Sequence, residues 1–163
     1  MNLKKTNFGR EGTVFCKLRG SEIDLLISDD EVTEEYAEKC VEAMNHMSDE
    51  TIETICQAAK AYCLKFMELA GDVIEEDMTV PITAETPAKE ILKCFAPTIL
   101  VIQNPKDDTK TGYQFECGCD WEIEHGMEID ILDDKVVFLG PFEGRSPWHE
   151  YDESEWNFVN SIL

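Results

Sequence analysis

At 163 residues, with 43% hydrophobic side chains and a mean hydropathy of −0.29, the chain is long enough to bury one core without disulfide staples. No apolar run approaches the roughly 20 residues that a membrane-spanning helix needs. Fourteen basic against 35 acidic side chains leave a formal charge of −21, a field that repels nucleic acid and anionic membrane and draws basic partners inward.

The charge is unevenly placed. Residues 1–20 carry Lys4, Lys5, Arg10, Lys17 and Arg19 against Glu11 alone, which leaves −25 on the other 143. The basic start is not followed by an apolar segment, so no secretory signal is expected and the protein is expected in the cytoplasm. Seven cysteines, an odd number, several of them on apolar helix faces, then read as reduced, buried thiols.

In chain order, Val14, Cys16 and Leu18 alternate with Lys17 and Arg19. After the turn Gly20-Ser21, Ile23, Leu25 and Ile27 alternate with Asp24 and Ser28, which predicts a β-hairpin with one buried face. Thr33 before Glu34 and Glu35, and Ser48 before Asp49 and Glu50, are expected helix N-caps with carboxylates in the first turn. Tyr36, Ala37, Cys40, Val41, Met44 and Met47, then Ile52, Ile55, Cys56, Ala59, Tyr62, Cys63 and Phe66, recur at helical spacing, and Gly71 supplies a stop. Residues 72–82 read as a polar connection. Ile91, Leu92 and Phe95 suggest a short helix after Pro87, closed by Pro97, and the apolar run Ile99 to Ile102 predicts a central strand.

The clearest period lies between Tyr113 and Gly140. Tyr113, Phe115, Cys117, Cys119, Trp121 and Ile123 are expected on one face, with Gln114, Glu116, Asp120, Glu122 and Glu124 on the other. Glu124-His125-Gly126 reads as a hairpin loop. Met127, Ile129 and Ile131 then alternate with Glu128 and Asp130, and Val136 to Leu139 return after an acidic turn. The expected architecture is a single α+β domain: an antiparallel sheet, made of an N-terminal hairpin (1–32) and a C-terminal β-meander (97–140), with two to three helices (33–95) on one face and a tail (141–163).

Trp121-Glu122-Ile123-Glu124-His125-Gly126, followed by an alternating strand and an acidic turn, resembles the Trp-x-x-Glu-His-Gly signature of a group of uncharacterised bacterial domains. Some of them are similar to immunity proteins of toxin systems. The resemblance implies an α+β fold and a protein-binding role, and it brings no catalytic residues with it.

Three clusters carry candidate chemistry. Cys117-x-Cys119 with His125 offers thiol and imidazole ligands for zinc, but it lacks a fourth ligand, and buried free thiols are the stronger reading. Glu124 and His125 resemble a base and its orienting carboxylate, although strand neighbours point to opposite faces and a turn role is favoured. Glu116, Asp120, Glu122, Glu124, Glu128 and Asp130 form a carboxylate rail suited to docking a basic protein, with Trp148 in the tail as an aromatic anchor. No cofactor is implied. The reading that follows is an acidic protein-binding domain, in its most concrete form an immunity-type inhibitor of a basic toxin. The alternatives are a metal-assisted hydrolase centred on Glu124 and His125, or a small-ligand-binding domain.

Overall fold

The N-caps expected from sequence form as local chemistry dictates. In the computed structural model, which describes residues 1–150, 153–154 and 156–162, Thr33 accepts from the Tyr36 amide and opens α1 (Glu34–Asn45). Ser48 accepts from the Thr51 amide and opens α2 (Asp49–Ala70), which stops at Gly71 with φ 73°. Side-chain oxygens at these positions satisfy amides that have no partner within their own helix. Short 3₁₀ turns follow at Gly71–Asp77, Ala88–Lys93 and Phe158–Ile162.

Seven strands form one sheet in sequential order: β1 (Lys4–Thr6), β2 (Gly9–Cys16), β3 (Ser21–Ile27), β4 (Phe95–Ile102), β5 (Gly112–Cys119), β6 (Glu122–Leu132) and β7 (Lys135–Pro141). Every neighbouring pair is antiparallel except β3 and β4, which run parallel with Leu25 opposite Leu100. The sheet is therefore more than a hairpin beside a meander. The two parts are fused through a parallel junction, and a parallel junction requires a long crossover. The helical region, residues 28–94, is that crossover. Pro97 does not end a helix; it lies within β4, next to a register shift between Pro97 and Ile99.

The helices cover one face of the sheet. Val14, Leu25, Ile27, Leu100, Phe115, Ile129 and Leu139 on that face join Tyr36, Cys40, Ile55, Tyr62 and Cys63 of the helices in one apolar cluster. Three polar contacts fix the register between layers. The Tyr36 hydroxyl donates to the Lys110 carbonyl and accepts from the Gly112 amide, both at 3.0 Å, tying α1 to the start of β5. Asn45 accepts from the Lys17 amide and donates to the Phe15 carbonyl, clamping the β2–β3 turn to the end of α1. Thr51 donates to the Asp134 carbonyl, which joins α2 to the β6–β7 turn.

The hairpin between β5 and β6 departs from simple alternation. Cys119 pairs with Glu122, so the turn is Asp120-Trp121, and residues 123–126 bulge out of the ladder before Met127 pairs with Cys117. Gly126 adopts φ 75°, and a Cβ there would lie 2.4 Å from the Cys117 carbonyl oxygen, so the bulge demands glycine. Trp121 is driven inward, 1% exposed, edge-on to Tyr62 at 5.6 Å and to Phe95 at 6.5 Å. Ile123, expected beside it in the core, is instead 76% exposed.

These opposite fates make a direct comparison. Trp121→Ala should cost about 3–5 kcal/mol in chemical denaturation, because a large buried ring is lost and a cavity remains. Ile123→Ala should stay within about 0.5 kcal/mol of wild type. Similar losses from both would contradict the bulged hairpin.

Candidate functional site

The sheet face away from the helices has two halves. Gln114 and Glu116 on β5, Glu128 and Asp130 on β6, and Phe138 on β7 alternate with the core residues and so point to this outer face. Over β5–β7 it is closed by the segment that follows β7. The backbone amides of Glu143, Gly144 and Arg145 each donate to the Glu128 carboxylate at 2.8 Å, and the Gln114 side-chain amide adds a fourth bond at 2.8 Å. Gln114 also donates to the Arg145 carbonyl. Gly144, at φ 68°, lets three consecutive amides converge, the concave arrangement that commonly receives an anion. Here the anion is the chain's own glutamate.

The segment, a strap, continues with the Arg145 guanidinium 4.8 Å above the Phe138 ring and the Trp148 ring against Gly112. It then reaches the free edge of β7. There the Asn157 side chain accepts from the Leu139 amide and donates to the Val137 carbonyl, capping an edge that would otherwise offer a pairing template. Phe158 ends the path on the helical side, stacked on Tyr62 at 5.0 Å.

This arrangement corrects much of the expected carboxylate rail. Glu128 and Asp130 are completely buried, and Trp148 is 9% exposed, so none of the three offers a surface to a partner. The strap, not solvent, is what their polar strand face meets. Asp120 lies at the hairpin turn and accepts from the Thr79 amide at 2.8 Å, holding the end of the crossover. Glu122 is also turned inward, its side chain 13% exposed. It accepts from the amides of Glu124 and His125 and contacts His125 Nδ1 at 2.9 Å. The carboxylate beside the imidazole is therefore Glu122, not Glu124, because the bulge folds residue 125 back over residue 122. Glu124 itself is exposed.

The structure does not unite the three candidate zinc ligands. Cys117 and Cys119 are buried on the helical face, whereas the His125 side chain is 69% exposed on the bulge. Burial pushes the Cys117 thiol well above its ordinary value and the Cys119 thiol up to about 12, which keeps both protonated. Among the described residues no group of three or more His, Cys, Asp or Glu side chains is placed to hold a metal ion.

Glu116 stands at the boundary between the two halves. Its strand neighbours are Ile99 on β4 and Glu128 on β6. It is partly buried, and among the described residues no hydrogen bond or ion pair reaches its carboxylate. Loss of hydration raises its pKa above the ordinary glutamate value, and the facing charge of Glu128 adds to the rise. Beyond it the outer face of β2–β4 is open, with Glu11 partly and Glu22 and Asp24 fully exposed around Leu26, Ile99 and a 55% exposed Phe15. Arg19, at the rim, is held by the Pro97 carbonyl at 2.7 Å. Strand alternation marked Glu116 but not this open half, because Glu11, Glu22 and Asp24 read as ordinary solvated positions of a hairpin.

Residues 2–146 match the model of a domain family of unknown function, DUF6985, a span that takes in the sheet, the helical crossover and the amides that bind Glu128. No curated protein and no solved structure matches the chain. Among the described residues no helix is long and apolar enough to cross a membrane.

Two substitutions test the site's electrostatics. Glu128→Ala leaves four donors, that of the buried Gln114 among them, without their acceptor and should cost about 3 kcal/mol, with Trp148 fluorescence shifting as the strap loosens. An unchanged denaturation midpoint would sink the strap assignment. For Glu116, folding raises the pKa above the ordinary glutamate value. Its favourable contribution is thus complete below that value and lost as pH rises through the folded-state value. Glu116→Gln should therefore raise Tm at pH 7 and leave it unchanged in acid; a lower Tm at pH 7 would reverse the assignment.

Proposed function

The chain belongs to the DUF6985 domain family, and we propose that it is an acidic protein-binding domain that receives a basic partner on the open half of its outer sheet face. The carrying observation is that half itself: Glu11, Glu22, Asp24 and Glu116 set around Leu26, Ile99 and Phe15, with Lys4 opposite Glu11 and Arg19 as the basic groups at its border, uncovered beside a half that the strap closes. Carboxylates around an apolar centre give a partner both a field to follow and a surface to bury. The net charge of −21 extends that field over the whole molecule. In its most concrete form this is an immunity-type inhibitor of a basic toxin, acting in the cytoplasm. The charge surplus and the resemblance carried by Trp121 to Gly126 support it.

A hydrolase centred on His125 has one observation in its favour, the 2.9 Å contact with Glu122. Against it stands the exposure of the imidazole on a bulge, where water competes for every contact a substrate would make.

The test is recovery of a basic partner from lysate of the source cells, followed by association rates across a salt series. The on-rate should fall steeply as salt rises, since screening cuts the field to about 8 Å at physiological ionic strength. Glu22→Lys with Asp24→Lys should slow association about tenfold and leave dissociation within about twofold. A salt-independent on-rate, or recovery of no basic protein, would overturn the proposal. Hydrolytic turnover of a small substrate, abolished by His125→Ala, would promote the rival.

A further inference from the structure

Two glutamates face each other across β5 and β6, and only one of them is provided for. Glu128 is fully buried and receives four donors. Glu116, its direct neighbour, is partly buried and receives none among the described residues. A carboxylate removed from water without replacement donors opposes folding, and the adjoining negative charge increases that opposition. Among the described residues no donor relieves this, and Glu116, half-buried, is left to water or to donors that a partner brings.

The covered half of the same face shows what such an occupant looks like. The strap meets the outer face with a glycine turn, Gly144, and an arginine, Arg145, whose guanidinium lies over Phe138. Arg145 pairs with Glu143 of the strap itself at 2.6 Å, whereas Glu116, one step nearer the open half, is a sheet carboxylate with the apolar Ile99 as its cross-strand neighbour and no such partner among the described residues. Ile99 lies on the same face, with Asp24 opposite it and Leu26 two residues on along the next strand. An arginine could lay its aliphatic stem along Ile99 and Leu26 and turn its fork to Glu116, whereas a lysine ammonium, more strongly hydrated, gives up more on entering.

Resting on the proposed docking function, we infer that Glu116 is the anchoring carboxylate of the open face, and that it takes an arginine side chain from a glycine-bearing basic segment of the partner, laid beside the strap. The residue then trades stability for recognition, as binding-site residues commonly do.

The probe is a short peptide of alternating arginine and glycine, compared with its lysine counterpart, titrated calorimetrically into the full-length protein at physiological salt. Wild type should bind the arginine peptide more tightly, about fivefold or better. Glu116→Gln should weaken that binding about tenfold while raising Tm at pH 7, so misfolding cannot account for the loss. Glu42→Gln, which removes the same unit of charge from an exposed position on α1, should change binding less than about twofold. Equal losses from Glu116→Gln and Glu42→Gln, or no preference for arginine, would overturn the anchor while leaving a docking surface of diffuse charge. Failure of wild type to bind either peptide, with no salt-sensitive partner recovered, would overturn both readings together.

Discussion

The outer architecture depends on the disposal of one carboxylate. Glu128 points from the middle of β6 to a face where water is excluded, and an unmet charge there would not be tolerated. Three consecutive amides and one side-chain amide meet it. That requirement fixes where the chain goes after β7. The strap has to cross the outer face at residues 143–145, which places Arg145 over Phe138 and Trp148 on Gly112. It also leaves the chain within reach of the β7 edge, where Asn157 accepts from the Leu139 amide and donates to the Val137 carbonyl. The buried Glu128 carboxylate thus organises a second layer over the outer face.

Features governed by neighbours in sequence were legible from sequence. Thr33 and Ser48 cap because a hydroxyl three residues before an amide can reach it, whatever the rest of the fold does. The β2–β3 hairpin and the central placement of β4 follow from alternation and from an unbroken apolar run. Features decided by distant partners were not legible. β1 is three residues long and carries Lys4 and Lys5, too short and too polar for a periodic signal. The parallel pairing of β3 with β4 leaves no local mark, because Leu25 and Leu100 are apolar in either direction of pairing.

The errors at the candidate site have one physical source. Period-two alternation reports which residues share a face, and it is silent on what covers that face. Glu128 and Asp130 alternate with Met127, Ile129 and Ile131 just as solvated residues would, yet they are buried beneath backbone amides that carry no side-chain signature. Trp121 and Ile123 show the complementary failure. A two-residue turn at Asp120-Trp121 and a bulge held by Gly126 reverse the register between them, so residues two apart part company. The Gly-bearing sequence Glu143-Gly144-Arg145 was the one available sign of an anion-binding turn, and its partner lies 15 to 17 residues upstream.

The acidity of the molecule then divides into parts with different physical meanings. Some carboxylates do structural work by accepting amides: Glu128 for the strap, Glu122 for the bulge, Asp120 for the crossover. Removing them would damage the fold. Those on α1 and α2, such as Glu34, Glu42 and Glu50, are exposed and contribute to the long-range field, where each unit of charge is nearly equivalent to any other. Glu116 fits neither group: half-buried, with its pKa raised by lost hydration and by Glu128, it receives no hydrogen bond at its carboxylate among the described residues. Folding alone would favour glutamine or a small apolar residue at this position. Its presence at the seam between a closed and an open half of one sheet face is what the proposed arginine contact would account for.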